Sequence, residues 1–353
     1  MRYFYEGRFD MMIHANAAPP PDLQKILIIQ TAFIGDVILS TVLIEKLRQH
    51  YPQARIDFLL RKGNESLLQG HPQLTHCWVW DKKRSRSKEV YRLVKALRAE
   101  KYDLVVNAQR YATTGLFTTL SGAKYTIGFD KNPLSRFFST RVSYRYDARI
   151  HEVQRILDLV TPLTDGAFLR PKLYPTADDF ALIAPYIERK PYICIAPTSV
   201  WYTKQFPAQK WIDFLDVLPE QYQVYLIGAP EDHEQCALIA QQSQHSNIHN
   251  LAGKLPLLAS SALMAQATMN YVNDSAPLHL ASATNAPTCA IFCSTTPDFG
   301  YGPLSDNATI VQVEELLECR PCGTHGHKQC PLGHFACALS ISSMKLMEVL
   351  PTE

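Results

Sequence analysis

The sequence has no apolar run near the roughly 18 residues that a membrane-spanning helix needs. Its first 22 residues hold no continuous apolar segment of the kind that secretory signals carry. The net charge is also small, because the chain has 35 Lys and Arg residues and 33 Asp and Glu residues. Such a balance is not typical of general nucleic-acid binders, although it is compatible with a local basic patch. We therefore expect a cytoplasmic protein without a nucleic-acid partner.

Two nucleotide-binding signatures are missing as well. The chain has no G-x-G-x-x-G fingerprint, which disfavours a dehydrogenase or a nucleotide-sugar epimerase. It has no D-x-D sequence, so nothing indicates a divalent ion held on a sugar-nucleotide diphosphate. Hydrophobic residues make up 46% of the chain, which is enough for ordinary globular cores.

Short apolar runs alternate with helical patterns in two series. The first series opens at Lys25–Ile29 and the second at Tyr192–Ala196, and a polar turn follows each run. This alternation predicts α/β domains with parallel, doubly wound sheets, whose ligands bind beyond the carboxyl ends of the strands. We expect a disordered leader at 1–22, an N-terminal domain at 23–170, a linker at 171–190, a C-terminal domain at 191–318 and a cysteine-rich tail with a terminal helix at 319–353.

Three polar turns carry candidate chemistry. Asp36 stands at a predicted helix start, where its carboxylate could accept a proton or simply cap the helix. Thr198, Ser199 and Lys204 follow the first strand of the second series. Hydroxyls, amides and an ammonium group suit a pyrophosphate, and a hydroxyl turn with a surface lysine is the alternative.

The third turn precedes another predicted helix. Its residues Asp274, Ser275 and Ala276 are followed within about one helical turn by His279. Free amides at such a helix start could hold phosphate oxygens, while capping by Asp274 or Ser275 is the compatible alternative.

A basic loop and a cysteine cluster complete the candidates. The loop could dock an anionic substrate or an anionic membrane face, or be a solvated charge run; its basic residues are Lys82, Lys83, Arg84, Arg86 and Lys88. Nine cysteines in a chain of this length favour a reducing compartment. Four of them could hold a structural Zn or Fe, or be reduced structural thiols; they are Cys319, Cys322, Cys330 and Cys337.

Four segments in order resemble the bacterial heptosyltransferases of glycosyltransferase family nine. The resemblance extends from Lys25 to about Cys337. The segments are KILIIQTAFIGDVILSTVLIEKLRQHYP from Lys25, APTSVWYTKQFP from Ala196, NDSAPLHLASA from Asn273 and CRPCGTHGHKQCPLGHFAC from Cys319.

The resemblance implies a GT-B fold, with two Rossmann-like doubly wound domains facing across a cleft. It implies an inverting transferase that needs no cofactor and no metal at the reaction centre. The C-terminal domain would hold the donor, ADP-L-glycero-D-manno-heptose. The N-terminal domain would hold the acceptor, the Kdo-lipid A inner core of a Gram-negative lipopolysaccharide, and the second heptose is favoured. Peripheral contact with the cytoplasmic face of the inner membrane is also expected.

The same resemblance assigns roles to single residues. Asp36 would be the general base, and Lys204 would stabilise the leaving diphosphate. The basic loop would bind the acceptor. The remaining donor contacts would be Thr198 and Ser199 near the phosphates, Asp274, Ser275 and Ala276 as the phosphate-binding triplet with His279 beside it, Asp232 at the adenosine ribose and Leu255 at the adenine.

One departure and two alternatives accompany this interpretation. Ala276 stands where the family usually has glycine, so its methyl group must point away from the phosphate. The first alternative is a protein (autotransporter) heptosyltransferase with a cysteine-bound metal. The second is a catalytically idle GT-B scaffold that binds lipopolysaccharide or a partner protein.

Overall fold

The computed structural model describes residues 12–15, 22–84, 86–188 and 191–351. These residues divide into two compact units, the first ending at Tyr174 and the second beginning at Pro175. The leader predicted at 1–22 lies mostly outside the described residues. Ile13–Ala15 within it form a short strand that the sequence analysis did not predict.

The first unit contains a seven-stranded sheet with four helices. The strands are β1 (Ile13–Ala15), β2 (Lys25–Ile29), β3 (Arg55–Arg61), β4 (His76–Trp80), β5 (Leu104–Asn107), β6 (Tyr125–Phe129) and β7 (Thr140–Val142). The helices are α1 (Ile34–His50), α2 (Arg86–Glu100), α3 (Ala112–Leu120) and α4 (Glu152–Asp158). The strand order is β1-β7-β6-β5-β2-β3-β4, and β1 alone of these strands runs antiparallel to its neighbour.

The second unit repeats this plan with an all-parallel six-stranded sheet. Its strands are β8 (Tyr192–Ala196), β9 (Gln223–Leu226), β10 (Ile248–Asn250), β11 (Met269–Asn273), β12 (Thr288–Phe292) and β13 (Ala308–Gln312), in the order β10-β9-β8-β11-β12-β13. Its helices are α5 (Ala177–Ile187), α6 (Ala208–Leu215), α7 (His233–Gln242), α8 (Leu257–Ala265), α9 (Ala276–Ala283), α10 (Ala336–Leu339) and α11 (Met344–Met347).

Both sheets have the strand order 3-2-1-4-5-6 of the Rossmann fold when their parallel strands are counted along the chain. The order reverses between β2 and β5 in the first unit and between β8 and β11 in the second. Connections leave in opposite directions from these paired strands, which opens a crevice at their carboxyl ends. The turns after β2, β8 and β11 therefore stand where the fold places ligands.

The strands pack as the apolar runs predict. Ile26 to Ile29 in β2 and all of β8 are buried, because helices cover both faces of each parallel sheet. The prediction of two Rossmann-like α/β domains is confirmed. Within the described residues, no helix combines the length and the apolar character needed to cross a membrane.

Candidate active site

The turn between β2 and α1 is held by the side chain of its own Gln30 and by the side chains of Asn64 and Lys82. Gln30 accepts the Ala32 amide at 3.2 Å and donates to the Ser40 hydroxyl at 3.1 Å. Asn64 donates its side-chain amide to the Ala32 carbonyl at 3.2 Å. The Lys82 ammonium donates to the Thr31 carbonyl at 2.9 Å. These bonds fix the backbone that leads into α1.

Asp36 lies in the first turn of α1. Its Oδ2 accepts the backbone N–H of Phe33 at 3.2 Å, so the carboxylate satisfies one of the donors that a helix start leaves unpaired. The helix-capping alternative is therefore correct as geometry. The residue is nevertheless partly exposed, at the carboxyl end of β2.

Asp36 loses its proton less readily than an ordinary aspartate. Burial of the carboxyl and the negative charge of Glu152 raise the pKa of Asp36 to about 6, against the Phe33 N–H and the Arg110 guanidinium, which lower it. A carboxylate with that pKa is ionised at neutral pH and is a stronger base than an ordinary aspartate.

Glu152 begins α4, the helix that packs against α1. Its Oε2 accepts the Tyr144 hydroxyl and the Arg155 guanidinium, each at 2.9 Å. Arg110 stacks over the Tyr144 ring at 4.1 Å. Sequence reasoning missed this group, because its residues are 74 to 119 positions from Asp36 and form no local motif. The sequence offered one weak signal for this group, namely that basic, acidic and aromatic residues lie next to the start of a helix.

The basic loop is only partly brought to this turn. Lys82 reaches Thr31 and also lies over the Trp80 ring at 4.7 Å. Lys83 and Lys88 are exposed, and Arg84 is exposed with its Nε 3.9 Å from Asp81 Oδ2. The side chain of Arg86 lies outside the described residues.

In the second unit, Asn273 joins the turns after β8 and β11. Its amide donates to the carbonyls of Ala196 and Thr198 at 3.3 and 3.4 Å, and its Oδ1 accepts the Phe206 N–H at 2.9 Å. Thr198 is buried and Ser199, whose carbonyl accepts the Gln205 amide, is partly buried. The two predicted phosphate turns therefore meet at the point where the strand order reverses.

Lys204 and Asp274 form an ion pair between these turns. Lys204 Nζ lies 2.6 Å from Asp274 Oδ2, which also accepts the Thr295 hydroxyl at 2.7 Å. Both side chains are largely shielded from water, which strengthens their interaction. Lys204 is thus not a loose surface lysine, and the surface-lysine alternative is wrong.

The start of α9 lies beside this pair. Ser275 is the N-cap residue, and its hydroxyl makes no capping bond but lies 3.4 Å from the Asn273 carbonyl. Pro277 stands within the first turn. His279 is buried, and this burial is the main cause that lowers its pKa to about 4. Its Nδ1 has no hydrogen-bond partner in the described part of the chain. An uncapped helix start beside an ammonium group is suited to an anion.

Asp232 and Leu255 are placed in neighbouring turns of the second unit. Asp232 Oδ2 accepts the Ala229 N–H at 2.7 Å, and the side chain is partly exposed. The Gly253 N–H donates to the Gly228 carbonyl at 3.0 Å, which brings the turn before Leu255 against the turn before Asp232. Leu255 is half-buried.

The cysteine-rich tail donates hydrogen bonds to residues next to the Lys204–Asp274 ion pair. The Arg320 guanidinium donates to the Cys293 and Thr295 carbonyls, each at 2.7 Å, and so holds the segment that supplies Thr295 to Asp274. The His327 N–H donates to the Thr203 hydroxyl at 2.7 Å, next to Lys204. Sequence reasoning did not foresee this role for the tail.

The four tail cysteines line one small cavity of about 20 Å³, together with His334. Cys319 Sγ lies 4.0 Å from His334 Nε2, and the Phe335 N–H donates to Cys330 Sγ at 3.4 Å. Among the described residues, however, no group of three or more His, Cys, Asp or Glu side chains is arranged to hold a metal ion. The possible Zn or Fe site at Cys319, Cys322, Cys330 and Cys337 is therefore not supported. Cys337 is buried in the core of the second unit, whereas the other three thiols are partly buried.

A family model described as glycosyltransferase family 9 (heptosyltransferase) matches residues 90–335, more than half of the chain. The chain belongs to this family. Lipopolysaccharide heptosyltransferase 3 of Escherichia coli is 28% identical over 295 residues, which cover 78% of this chain and 85% of that protein. Lipopolysaccharide heptosyltransferase 2 of Escherichia coli K12 is 25% identical over 322 residues, covering 82% and 88%.

Structural similarity agrees with the family assignment. The solved structure of Escherichia coli ADP-heptose lps heptosyltransferase II has a TM-score of 0.75 to the family 9 chain, at 22% sequence identity, and covers 92% of this chain and 97% of that chain. The chain is thus a glycosyltransferase with two Rossmann-like α/β units, and its fold matches that of the solved heptosyltransferase. The matched segment begins at residue 90, so it does not include Asp36.

Proposed function

We propose that the protein transfers L-glycero-D-manno-heptose from ADP-heptose to the inner core of lipopolysaccharide, with inversion at the anomeric carbon. The observation that carries this proposal is Asp36, a partly exposed carboxylate at the end of β2 whose pKa is raised to about 6. The family assignment supplies the reaction class, and the names of the relatives support the substrates.

In the proposed reaction, Asp36 removes the proton from an acceptor hydroxyl as its oxygen attacks the anomeric carbon. The new carbon–oxygen bond forms while the bond to ADP breaks, and ADP leaves with the electron pair. The raised pKa of Asp36 suits a general base that must be ionised at neutral pH yet hold a proton in the transition state.

Negative charge develops on the departing diphosphate. Lys204 and the amides at the start of α9 offset that charge, which is stabilisation aimed at the leaving group rather than at bound substrate. Thr198 and Ser199 complete the phosphate subsite, with the buried His279 beside it. Asp232 and Leu255, in adjoining turns, are the proposed contacts for ribose and adenine. This set of groups supports transfer without a cofactor or a metal at the reaction centre.

The acceptor is proposed to be Kdo-lipid A carrying part of the inner core. Lys82, fixed beside the Asp36 turn, and the exposed Lys83, Arg84 and Lys88 provide positive charge for its phosphates and carboxylates. Such an acceptor requires a cytoplasmic enzyme with peripheral contact to the inner membrane. Addition of the second heptose is favoured, while the matches to relatives named heptosyltransferase 3 and 2 leave that choice to experiment.

The two alternatives are less well supported. Transfer to an autotransporter protein was linked to a cysteine-bound metal, and the tail thiols are not arranged for one. An idle scaffold has no need of a carboxylate with a raised pKa or of a shielded Lys204–Asp274 pair.

The base assignment is tested with Asp36→Asn. The asparagine oxygen can still accept the Phe33 N–H, so the variant should fold and bind ADP. Transfer should fall about a hundredfold or more, because an amide cannot take the proton. ADP release with ADP-heptose and acceptor measures the rate, and ADP titration measures binding.

Asp179→Asn is the matched control. Asp179 occupies the same position in α5 and accepts the Thr176 N–H at 2.8 Å, so this variant makes the same chemical change at a helix start. It should leave transfer unchanged. Near-normal turnover by Asp36→Asn would remove Asp36 as the base.

The acceptor is tested by ADP release on Kdo-lipid A and on the same acceptor carrying one heptose. We expect turnover on the heptosylated acceptor alone. Turnover on the bare acceptor alone would instead indicate addition of the first heptose. Turnover on neither, with an autotransporter passenger protein accepted, would establish the protein-directed alternative.

A further inference from the structure

An apolar groove of about 710 Å³ runs between α2 and α3 in the first unit. Its apolar walls are formed by Val90, Tyr91, Val94, Leu116 and Leu120. Three of these side chains are well exposed, with Tyr91 at 70%, Leu116 at 38% and Leu120 at 44%. Exposure of several large apolar groups side by side is uncommon on a protein surface and marks a contact site.

The three exposed wall residues, Tyr91, Leu116 and Leu120, do not belong to the core of the first unit. Helix α2 uses Leu93 and Leu97, both fully buried, to pack on the sheet. Phe117 does the same for α3. Val90 and Val94 also pack against this core cluster, so part of the groove wall is explained by folding of the unit. Tyr91, Leu116 and Leu120 do not belong to the cluster, and folding does not explain their apolar character.

The groove lies beside the most basic stretch of the sequence. Residues 81–98 contain eight Lys and Arg residues and two acidic residues, a formal charge of +6 in a chain whose net charge is +2. Both acids are engaged, since Glu89 pairs with Arg92 at 2.7 Å and Asp81 with Lys62 at 2.9 Å. Lys83, Lys88, Lys95 and Arg98 are exposed along this stretch.

We propose that the α2–α3 groove and the exposed basic residues Lys83, Lys88, Lys95 and Arg98 together form a docking surface for an anionic phospholipid bilayer. The cations would face lipid phosphates, while Tyr91, Leu116 and Leu120 would enter the boundary between headgroups and acyl chains. An apolar face bordered by Lys and Arg is the combination that holds proteins on such surfaces. The exposed side chains beside the groove are positively charged, and the two acids of the stretch, Asp81 and Glu89, are in ion pairs. This positive surface complements an anionic membrane.

This inference rests on the proposed function only in that a lipid-linked acceptor gives the enzyme a reason to be at a membrane. Vesicle binding requires neither donor nor acceptor, so it can be measured apart from catalysis. Turnover on a deacylated, water-soluble core acceptor reports the transfer reaction apart from docking.

The test is co-sedimentation of the full chain with vesicles of phosphatidylethanolamine and phosphatidylglycerol, compared with vesicles of phosphatidylethanolamine and phosphatidylcholine. We expect binding to the anionic vesicles that weakens as salt is added, because salt screens the basic surface. The double variant Leu116→Ser/Leu120→Ser and the single variant Lys95→Glu should each bind severalfold less. Their turnover on the deacylated acceptor should match that of the unchanged chain.

Leu316→Ser is the matched control, because Leu316 is 98% exposed in the second unit and far along the chain from the groove. It should bind vesicles normally. Absence of binding to anionic vesicles at low salt, or equal binding by the groove variants and the unchanged chain, would overturn the proposal.

Discussion

At the scale of single residues, Asp36 is a helix cap and is also the proposed general base, and both roles use the same carboxylate. Its Oδ2 accepts the Phe33 N–H, and the residue remains partly exposed. The neighbouring acid Glu152 is held in place by Tyr144 and Arg155. Because Glu152 and burial together raise the pKa of Asp36, the strength of the proposed base depends on α4 as well as on its own helix.

This dependence predicts the pH profile of transfer. Asp36 acts only when ionised, so kcat/KM should rise with pH through about 6. Glu152→Gln removes a negative charge that disfavours ionisation, so the pKa of Asp36 falls and the rise should move to lower pH. Initial rates measured from pH 4.5 to 8 (roughly the window around the predicted pKa) test this.

Glu152→Asp is the control, since it keeps the charge and should keep the rise near pH 6. A merely structural Glu152 would lower the rate in both variants without moving the profile. Unchanged profiles in both variants would contradict the electrostatic coupling.

At the scale of secondary-structure elements, the turns restrict the choice of residue more tightly than the strands and helices do, as Gly253 shows. Gly253 has φ +77°, and a Cβ there would lie 2.8 Å from the Pro230 Cα. The turns that present Asp232 and Leu255 meet at this contact. Glycine is therefore required at position 253 for both conformation and space.

Gly253→Ala is predicted to lower the free energy of unfolding by about 2 kcal/mol or more, since a backbone contact must open. Gly333→Ala is the matched control in the same unit, with φ +76° and nothing within 4 Å of the added Cβ. It should cost about 1 kcal/mol, the conformational part alone. Urea unfolding followed by circular dichroism compares the two, and equal losses would show that the contact with Pro230 relaxes freely.

Element prediction succeeded where the apolar pattern is long and continuous. Lys25–Ile29 and Tyr192–Ala196 were predicted to the residue, because buried strands of a parallel sheet are mainly apolar. The three-residue strands Ile13–Ala15 and Ile248–Asn250 were missed. They lie at sheet edges, and the pairing with a neighbour, rather than their own composition, makes them strands.

At the scale of the whole molecule, two Rossmann-like units divide the proposed tasks. The proposed base belongs to the first unit, and the proposed leaving-group site belongs to the second. The phosphate turns, the Lys204–Asp274 pair and the bracing tail are all parts of the second unit. Donor recognition should therefore be a property of that unit.

This division predicts the pattern of hydrogen exchange in the full chain. Saturating ADP should slow amide exchange in residues 197–206 and 274–280, because bound phosphate restrains both turns. Exchange in residues 22–84 should stay unchanged. Protection centred on the Asp36 turn instead would contradict the placement of the donor.

Lys204→Gln supplies the control for this experiment. Glutamine can still donate to Asp274, so the fold should persist, while the positive charge is lost. At the ADP concentration that protects the unchanged chain, the variant should show weaker protection in the same two segments.

The order of elements, the α/β class and the types of residue at each strand end follow from the chain alone. The period of the hydrophobic pattern and the apolar content of each segment dictate local structure. Polar residues at strand ends indicate the ligand-binding edge of a parallel sheet. The tertiary structure decided what those residues do to one another. Glu152 beside Asp36, Asp274 beside Lys204 and Arg320 behind Thr295 are neighbours separated by tens of residues or more. Their charges and hydrogen bonds act over a few ångströms, and only folding brings them within that distance.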